Sequence, residues 1–168
     1  SRQAIINRDD IDGDFSRLLT NPNISTYGTS SAAEYSLESG EISVTEPIRA
    51  IMKAKDWDER PVKLQVVGEH SVRAIAAAVA VAVKLGMTAD EVEKAVATIR
   101  PAKGRMNVLR GLEDAIILDD TYNSSPLAAA AALRVLYQLV VPQRIAVLGS
   151  MNELGAVTVE AHDVLGAM

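Results

Sequence analysis

The sequence has 168 residues, enough for one domain of ordinary size or two small ones with a buried core. Hydrophobic residues make up 48% and charged residues 23%, a balance typical of globular proteins. The formal net charge is -5 with no basic run, so we expect no nucleic-acid or membrane partner attracted by bulk charge. Because cysteine is absent, disulfides, thiolate metal sites and cysteine nucleophiles are excluded.

The longest apolar run, residues 75–83, is far shorter than the roughly 18 residues of a membrane-spanning helix. The chain opens on Ser1, without an initiator methionine or the pattern of a signal peptide, and a strand pattern begins almost at once. Its end falls inside a helical pattern at Met168. We therefore expect this chain to be a fragment of a longer protein.

Short β-branched or alternating stretches predict strands in the first part of the chain. A polar turn at residues 7–10 follows the first of them, and Ser39 and Gly40 fit a hairpin turn between the third and the fourth. The predicted strands are residues 4–6, 24–27, 34–37, 42–44 and 62–67.

Between residues 71 and 100 the apolar period changes to that of a helix. A first helix ends near Gly86, a typical C-terminal cap. Thr88 and Glu91 have the spacing of a capping box, in which each side chain bonds the other's orphan amide, and Pro101 ends the helix that they open. The sequence therefore predicts a helical hairpin over residues 71–100.

Beyond a loop at residues 103–105, strand and helix patterns alternate with short connections. Pro126 sits in the tolerated first turn of a helix, with Ser124 or Ser125 as its cap. This alternation predicts a parallel α/β sheet, and the loop marks a boundary between two domains. The predicted elements are buried strands at 115–118 and 144–148 and helices at 126–139 and 158–168.

Asp119 and Asp120 stand where a predicted strand ends and shortly before a capped helix N-terminus. In open α/β sheets, ligands bind outside the carboxyl ends of the strands, and helix N-termini favour anions. A carboxylate at such a point can hold Mg²⁺ or hydrogen-bond a ribose hydroxyl. In the alternative interpretation one aspartate caps a turn and the other is solvated, and spacing alone favours neither.

Two further residues are candidates for contacts with a nucleotide. His70 lies where a strand meets a helix, and Arg105 lies in the predicted interdomain loop. From the residues alone, we favour a helix-entry histidine, an exposed arginine and, for His162, a surface position. The sequence contains neither a G-x-x-x-x-G-K-[ST] phosphate loop nor G-x-G-x-x-G, and two histidines without cysteine argue against zinc.

Residues 119–126, DDTYNSSP, resemble the motif DDTYNANP of the Mur ligase family, in its MurF type. The order and spacing of further motifs hold over nearly the whole chain. These further stretches are 7–10 (NRDD, resembling NADD), 27–29 (YGT, resembling the YG strand), 68–71 (GEHS, resembling GxHN), 100–106 (RPAKGRM, resembling RPVKGRL) and 147–155 (VLGSMNELG, resembling VLGDMLELG).

The resemblance implies an α/β fold in which residues 1–101 end a central ATP-binding domain and residues 102–168 begin a Rossmann-like C-terminal domain. It implies a cytoplasmic enzyme of peptidoglycan synthesis, dependent on ATP and Mg²⁺, that joins UDP-N-acetylmuramoyl-tripeptide to D-Ala-D-Ala through an acyl phosphate. The family's N-terminal domain and phosphate loop have no counterpart in this sequence. We therefore expect the chain by itself to be inactive.

The resemblance also implies binding roles, with no catalytic residue and no metal ligand in this chain. Asp120 is expected to hydrogen-bond the ATP ribose, and Arg105 to reach the nucleotide. The remaining residues expected at the adenine pocket, the nucleotide or the closing cleft are Asn7, His70, Ser71, Tyr122 and Asn123.

Four positions depart from the family's pattern. Ser71 and Ala74 stand where the family has two asparagines that contact adenine, Ser125 replaces the second asparagine of the strand-end motif, and Ser150 replaces an aspartate. Two alternatives therefore stay open beside the ligase of this type. One is a non-catalytic binding module derived from the family, and the other is a ligase with a different amino-acid substrate.

Overall fold

The computed structural model describes residues 3–10 and 23–168. The chain divides into two units: the described residues within 1–41 together with Glu46–Arg100, and Ile42–Thr45 together with Pro101–Met168. Within the described part of the chain, no helix is long and apolar enough to cross a membrane.

The first unit is built on a five-stranded mixed sheet whose strands follow one another in chain order. The first three strands pair in parallel, and the last three pair antiparallel. Pro61 lies in the last strand, at the edge of the sheet, where its missing N–H is tolerated. The strands are β1 Ala4–Asn7, β2 Ile24–Gly28, β3 Tyr35–Ser39, β4 Ile48–Lys53 and β5 Arg60–Leu64.

Two helices cover one face of this sheet: α1, Glu69–Lys84, and α2, Ala89–Thr98. α1 packs against β2 and β3, and α2 packs against β5. Fully burying one valine or isoleucine contributes roughly 1.5–3 kcal/mol, so the apolar stripe of α1 holds it on the sheet. The buried residues of this stripe are Val72, Ile75, Ala76, Val79 and Ala80.

The predicted helix ends are confirmed. After α1, Gly86 adopts a φ of +90°, the left-handed conformation in which glycine is favoured. At the start of α2, Glu91 Oε2 accepts from Thr88 N at 2.8 Å, and Thr88 Oγ1 accepts from Glu91 N at 3.4 Å. The hydrogen bonds from the backbone and then from the hydroxyl of Thr88 hold the pKa of Glu91 below its usual value.

The second unit contains a two-stranded antiparallel ribbon, β6 Asn107–Arg110 and β7 Ile116–Asp119, followed by the helices α3, Pro126–Gln138, and α4, Thr158–Gly166. Ser125 is the cap of α3, because its Oγ accepts from Ala128 N at 3.3 Å. α3 and α4 pack around a small apolar cluster. Its buried members are Ala129, Met151 and Leu165.

The strand predicted at residues 42–44 is wrong. β3 pairs antiparallel with β4, whose first residue is Ile48, and Gly40 N donates to Arg49 O at 2.9 Å as this pairing begins. The hairpin turn predicted at Ser39 and Gly40 is therefore a longer loop, in which Thr45 N donates to Ser43 Oγ at 3.3 Å. The alternating strand β4 was not predicted.

The buried strand predicted at residues 144–148 is also wrong: these residues form no strand, and Val147 is 92% exposed. β7 matches the predicted strand at 115–118, but Ile117 is 48% exposed and its partner β6 was not predicted. An apolar run becomes a buried parallel strand only when neighbouring strands and helices cover it. The α/β class itself is confirmed, with its parallel pairs in the first unit. The parallel sheet predicted beyond residue 105 is wrong, because the two strands described there, β6 and β7, pair antiparallel.

Candidate functional site

In the second unit, residues 104–106 and 120–122 are joined by two hydrogen bonds, and we call these six residues the clasp. Tyr122 N donates to Gly104 O at 3.1 Å, and Met106 N donates to Asp120 Oδ1 at 3.0 Å. Asn107 and Asp119 form the last pair at one end of the β6–β7 ladder. The clasp continues the pairing beyond this end. It therefore fixes residues after β7 against residues before β6.

Two positive φ angles explain why a side chain takes part in this extension. Met106, whose side chain is buried, has a φ of +50°, and Gly104 has a φ of +71°. Such a backbone breaks the regular ladder, and the carboxylate of Asp120 supplies an acceptor for Met106 N. A Cβ on Gly104 would lie 3.1 Å from Tyr122 N and 3.2 Å from Tyr122 Cβ, so only glycine allows this approach without displacing its neighbour.

The two adjacent aspartates do different things. Asp119 Oδ1 accepts from Thr121 Oγ1 at 2.7 Å and from Thr121 N at 3.3 Å, so Asp119 caps a turn. Asp120 is half-buried and supports Met106 through Oδ1. Within the described chain, no donor is found for its second oxygen, Oδ2, which leaves that atom available to a ligand hydroxyl.

Arg105 and Tyr122 form a cation–π pair at the solvent-exposed side of the clasp. The guanidinium carbon of Arg105 lies 4.2 Å from the centroid of the Tyr122 ring, and Tyr122 is 71% exposed. None of the described carboxylates lies within ion-pairing distance of Arg105. The next residue after the clasp, Asn123, is exposed. The clasp thus presents a cation, a carboxylate oxygen and an aromatic ring.

In the first unit, Arg73 of α1 ties the ends of β1 and β2 to the helix. Its Nη1 lies 3.1 Å from Asp10 Oδ1 and its Nη2 lies 3.0 Å from Glu69 Oε1. Its buried Nε lies 3.4 Å from Asp9 Oδ2, an ion pair without hydrogen-bond geometry. Asp9 Oδ2 also accepts from Thr29 N at 2.8 Å and from Thr29 Oγ1 at 3.0 Å. Arg73 was not predicted, although the adjacent carboxylates Asp9 and Asp10 were a signal for a nearby cation.

The other residues predicted in the first unit lie around this cluster. The side chain of Asn7 holds the turn after β1, donating to Asp10 Oδ2 and accepting from Asp9 N at 3.0 Å. His70 and Ser71 belong to the first turn of α1, where His70 is exposed and Ser71 is half-buried. The predicted residues thus form two groups, one in each unit.

His162 is not the surface residue that was predicted. It is half-buried, its Nε2 accepts from Met151 N at 3.0 Å, and its Nδ1 lies 2.7 Å from Thr158 O. Because Nε2 must accept, Nδ1 carries the proton and donates to that carbonyl. His162 therefore fastens the segment around Met151 to α4. The periodicity of the residues around His162 does not predict this contact.

No group of three or more histidine, aspartate or glutamate side chains in residues 3–10 and 23–168 is arranged to hold a metal ion. Three acidic residues of the first unit, Asp9, Asp10 and Glu69, pair with Arg73. The described residues therefore do not form a ready set of Mg²⁺ ligands.

Known proteins share this fold and these motifs. Residues 104–168 match the family model "Mur ligase, glutamate ligase domain". A UDP-N-acetylmuramoyl-tripeptide--D-alanyl-D-alanine ligase of Treponema pallidum is 31% identical over 106 residues, covering 63% of this chain and 23% of the relative. A crystal structure of MurF from Acinetobacter baumannii matches with a TM-score of 0.83 and 27% identity, covering 97% of this chain and 35% of that one. The MurF ligase of Thermotoga maritima, solved in complex with ADP, matches with a TM-score of 0.78 and 28% identity over 98% of this chain and 38% of that one.

Residues 104–168 match the Mur ligase family, and both units of the chain are similar to its members. Within the family, these relatives and structures are of the MurF type, and the resemblance drawn from the motifs is confirmed. The chain spans between about a quarter and two fifths of the length of the relatives that it matches.

Proposed function

We propose that this chain is part of an ATP-dependent ligase that adds D-Ala-D-Ala to UDP-N-acetylmuramoyl-tripeptide in peptidoglycan synthesis. The observation that carries the proposal is the similarity to MurF ligases along 97–98% of the chain, at 27–28% identity and with TM-scores of 0.83 and 0.78. This similarity covers both units. It is therefore not limited to the single domain recognised by the family model.

The proposed reaction forms an amide bond at the expense of ATP. The substrate carboxylate is activated as an acyl phosphate, and the amine of D-Ala-D-Ala then displaces phosphate. The task of the protein in such a reaction is to position the reactants and to stabilise developing negative charge. The residues of this chain are assigned to binding and positioning, and none to nucleophilic or general-base catalysis.

The clasp fits a nucleotide in two respects. Arg105 is a cation without an ion-pair partner among the described residues, suited to a phosphate group. Asp120 keeps Oδ2 for a ribose hydroxyl while Oδ1 holds Met106 N in place at 3.0 Å. We therefore assign ribose binding to Asp120 and phosphate binding to Arg105. Mg²⁺ is expected to accompany the nucleotide phosphates, and no described residue is assigned to it.

In the first unit, we assign contacts with the nucleotide to His70 and Ser71 at the start of α1. Asn7 has a supporting role in the proposal, because both ends of its amide are engaged within the turn after β1. Asn123, which is exposed next to the clasp, is assigned to the cleft that receives the substrates. We further propose that residues 1–101 belong to the central domain of the ligase and residues 102–168 to its C-terminal domain.

A non-catalytic module derived from the family is the second candidate. It is favoured by Ala74, which is exposed on α1 and lacks the amide of the family's asparagine. Ser125 does not favour it, because serine caps α3 here and asparagine is an equivalent helix cap. The case for the non-catalytic module therefore depends on Ser71 and Ala74, the two positions where the family has asparagines.

The proposal is tested by a ligation assay on the full-length protein, with ATP, UDP-N-acetylmuramoyl-tripeptide and a panel of amines. D-Ala-D-Ala is expected to be the preferred acceptor. Preference for another amino acid or peptide would keep the ligase chemistry and replace the substrate. Failure to form an amide with any amine, together with undetectable ATP binding, would favour the non-catalytic module.

A further inference from the structure

The arginines of the described chain are held in different ways. Arg60 pairs with Asp90 and Glu93, each at 2.7 Å, so its charge is neutralised by carboxylates. Arg105 contacts an aromatic face, at 4.2 Å from the ring centroid of Tyr122, and no described carboxylate lies within ion-pairing distance of it. Arg105 therefore keeps its full charge while its orientation is restrained.

Stacking has a specific consequence for a guanidinium group. The guanidinium carbon of Arg105 lies over the ring of Tyr122, 4.2 Å from its centroid. The five N–H donors of arginine lie in the plane of the group, and a guanidinium parallel to an aromatic ring keeps them clear of that ring. The contact with the ring therefore leaves the in-plane donors open to the oxygens of an anion. A carboxylate partner would instead occupy two of these donors.

The ring of Tyr122 is itself held by the backbone. Its N–H donates to Gly104 O at 3.1 Å, and the absence of a Cβ on Gly104 permits this approach. The side chain of Tyr122 is 71% exposed, so it contributes little to the packing of the second unit. A tyrosine that is anchored by its backbone but left exposed by its side chain has its most specific contact with Arg105.

We propose that Tyr122 is a positioning residue for Arg105: its ring holds the guanidinium flat, with the in-plane donors directed towards the phosphate oxygens of the nucleotide. This inference rests on the proposed nucleotide binding by Arg105 and adds to it the means by which Arg105 is oriented. The hydroxyl of Tyr122 has no part in this role, and direct contact between Tyr122 and the nucleotide is not needed.

The test is a double-mutant cycle for ADP binding by the full-length protein, measured by calorimetry. An exposed cation–π contact corresponds to about a three- to fivefold change in affinity. Tyr122→Leu is expected to weaken ADP binding by about this factor, and Tyr122→Phe, which keeps the ring, to bind like the wild type. In the Arg105→Ala background, Tyr122→Leu is expected to have no further effect, because Tyr122 acts through Arg105.

The opposite outcomes separate the inference from the proposed function. If the effects of Tyr122→Leu and Arg105→Ala multiply, Tyr122 acts independently of Arg105 and the inference is overturned. If Tyr122→Phe binds as weakly as Tyr122→Leu, the hydroxyl matters and the ring contact is not the cause. If Arg105→Ala weakens binding and Tyr122→Leu does not, only the inference fails, whereas unchanged binding in Arg105→Ala overturns the phosphate role and the inference together.

Discussion

At the scale of single residues, Asp120 combines two tasks that one substitution can separate. Oδ1 holds Met106 N at 3.0 Å, and Oδ2 is the oxygen that we assign to the ribose. Alanine removes both contacts, whereas asparagine keeps an acceptor for Met106 N and removes the charge. The two substitutions therefore report differently on folding and on ATP binding.

We predict that Asp120→Ala raises the KM for ATP by the equivalent of about 1.5–3 kcal/mol, the contribution of a charge-assisted hydrogen bond, and also lowers the free energy of unfolding by about 1 kcal/mol. Asp120→Asn is expected to keep the wild-type stability and to show a smaller rise in KM. Steady-state kinetics and urea denaturation measure the two effects. Wild-type ATP kinetics in both variants would remove Asp120 from the nucleotide site.

Gly104 is the second residue whose role can be measured, with Gly155 as its matched control in the same unit. Both have positive φ angles, +71° and +58°, but a Cβ meets nothing within 4 Å at Gly155 and lies 3.1 Å from Tyr122 N at Gly104. We expect Gly155→Ala to cost about 1–2 kcal/mol for the left-handed backbone and Gly104→Ala to cost about 1–3 kcal/mol more. Equal losses in urea denaturation would show that the close approach to Tyr122 is not a constraint.

At the scale of secondary-structure elements, Asp9 fastens two strands to a helix. Its side chain is 12% exposed and contacts Thr29 and Arg73, whereas the neighbouring Asp10 is 65% exposed. We predict that Asp9→Asn lowers the free energy of unfolding by about 2–3 kcal/mol, because it weakens several bonds to a mostly buried carboxylate. Asp10→Asn is the control and is expected to cost less than about 1 kcal/mol in the same denaturation experiment. Equal effects would mean that the buried contacts of Asp9 do not hold the elements together.

The capping box of α2 makes the stability of this helix depend on pH. The hydrogen bonds of the capping box lower the pKa of Glu91. The stabilisation that the Glu91 carboxylate contributes is therefore complete above the unfolded-state pKa of about 4.5, and it is lost as the pH falls through the lower, folded-state pKa. Thr88→Ala is expected to cost about 1 kcal/mol at pH 7 and less at pH 3. Denaturation at the two pH values measures this difference, and a cost independent of pH would contradict the role of the Glu91 carboxylate.

What the sequence could predict differs between elements for physical reasons. The helices and the caps at Gly86, Thr88 and Ser125 follow from local spacing and from bonds within a few residues, and they are confirmed. The strands β4 and β6 were missed because each is defined by its pairing with another strand, which local propensity does not reveal. The strand predicted at residues 144–148 failed for the same reason, since an apolar run does not specify what covers it.

For the candidate site, the sequence predicted the main residues but not the contacts that hold them. Motifs identified Asp120, Arg105 and Tyr122, which the fold brings together in the clasp. Periodicity could not reveal the support of Met106 by Asp120, because a left-handed residue at position 106 is a property of the folded backbone. The bonds of His162 to Met151 and Thr158 also depend on how a loop folds over α4.

At the scale of the whole molecule, we propose that both units serve one ATP-dependent ligase. The two units have separate cores, and each carries part of the proposed set of nucleotide contacts. The similarity to MurF ligases extends over both. The activity proposed here therefore belongs to the full-length protein.

The most direct test measures ADP release and amide formation together in the full-length protein supplied with ATP, UDP-N-acetylmuramoyl-tripeptide and D-Ala-D-Ala. We predict one ADP for each D-Ala-D-Ala joined to the UDP-linked tripeptide. Omission of either the tripeptide or the dipeptide should abolish amide formation, and Arg105→Ala should slow it at low ATP concentration. ATP consumption without any amide product, or no ATP consumption at all, would contradict the account.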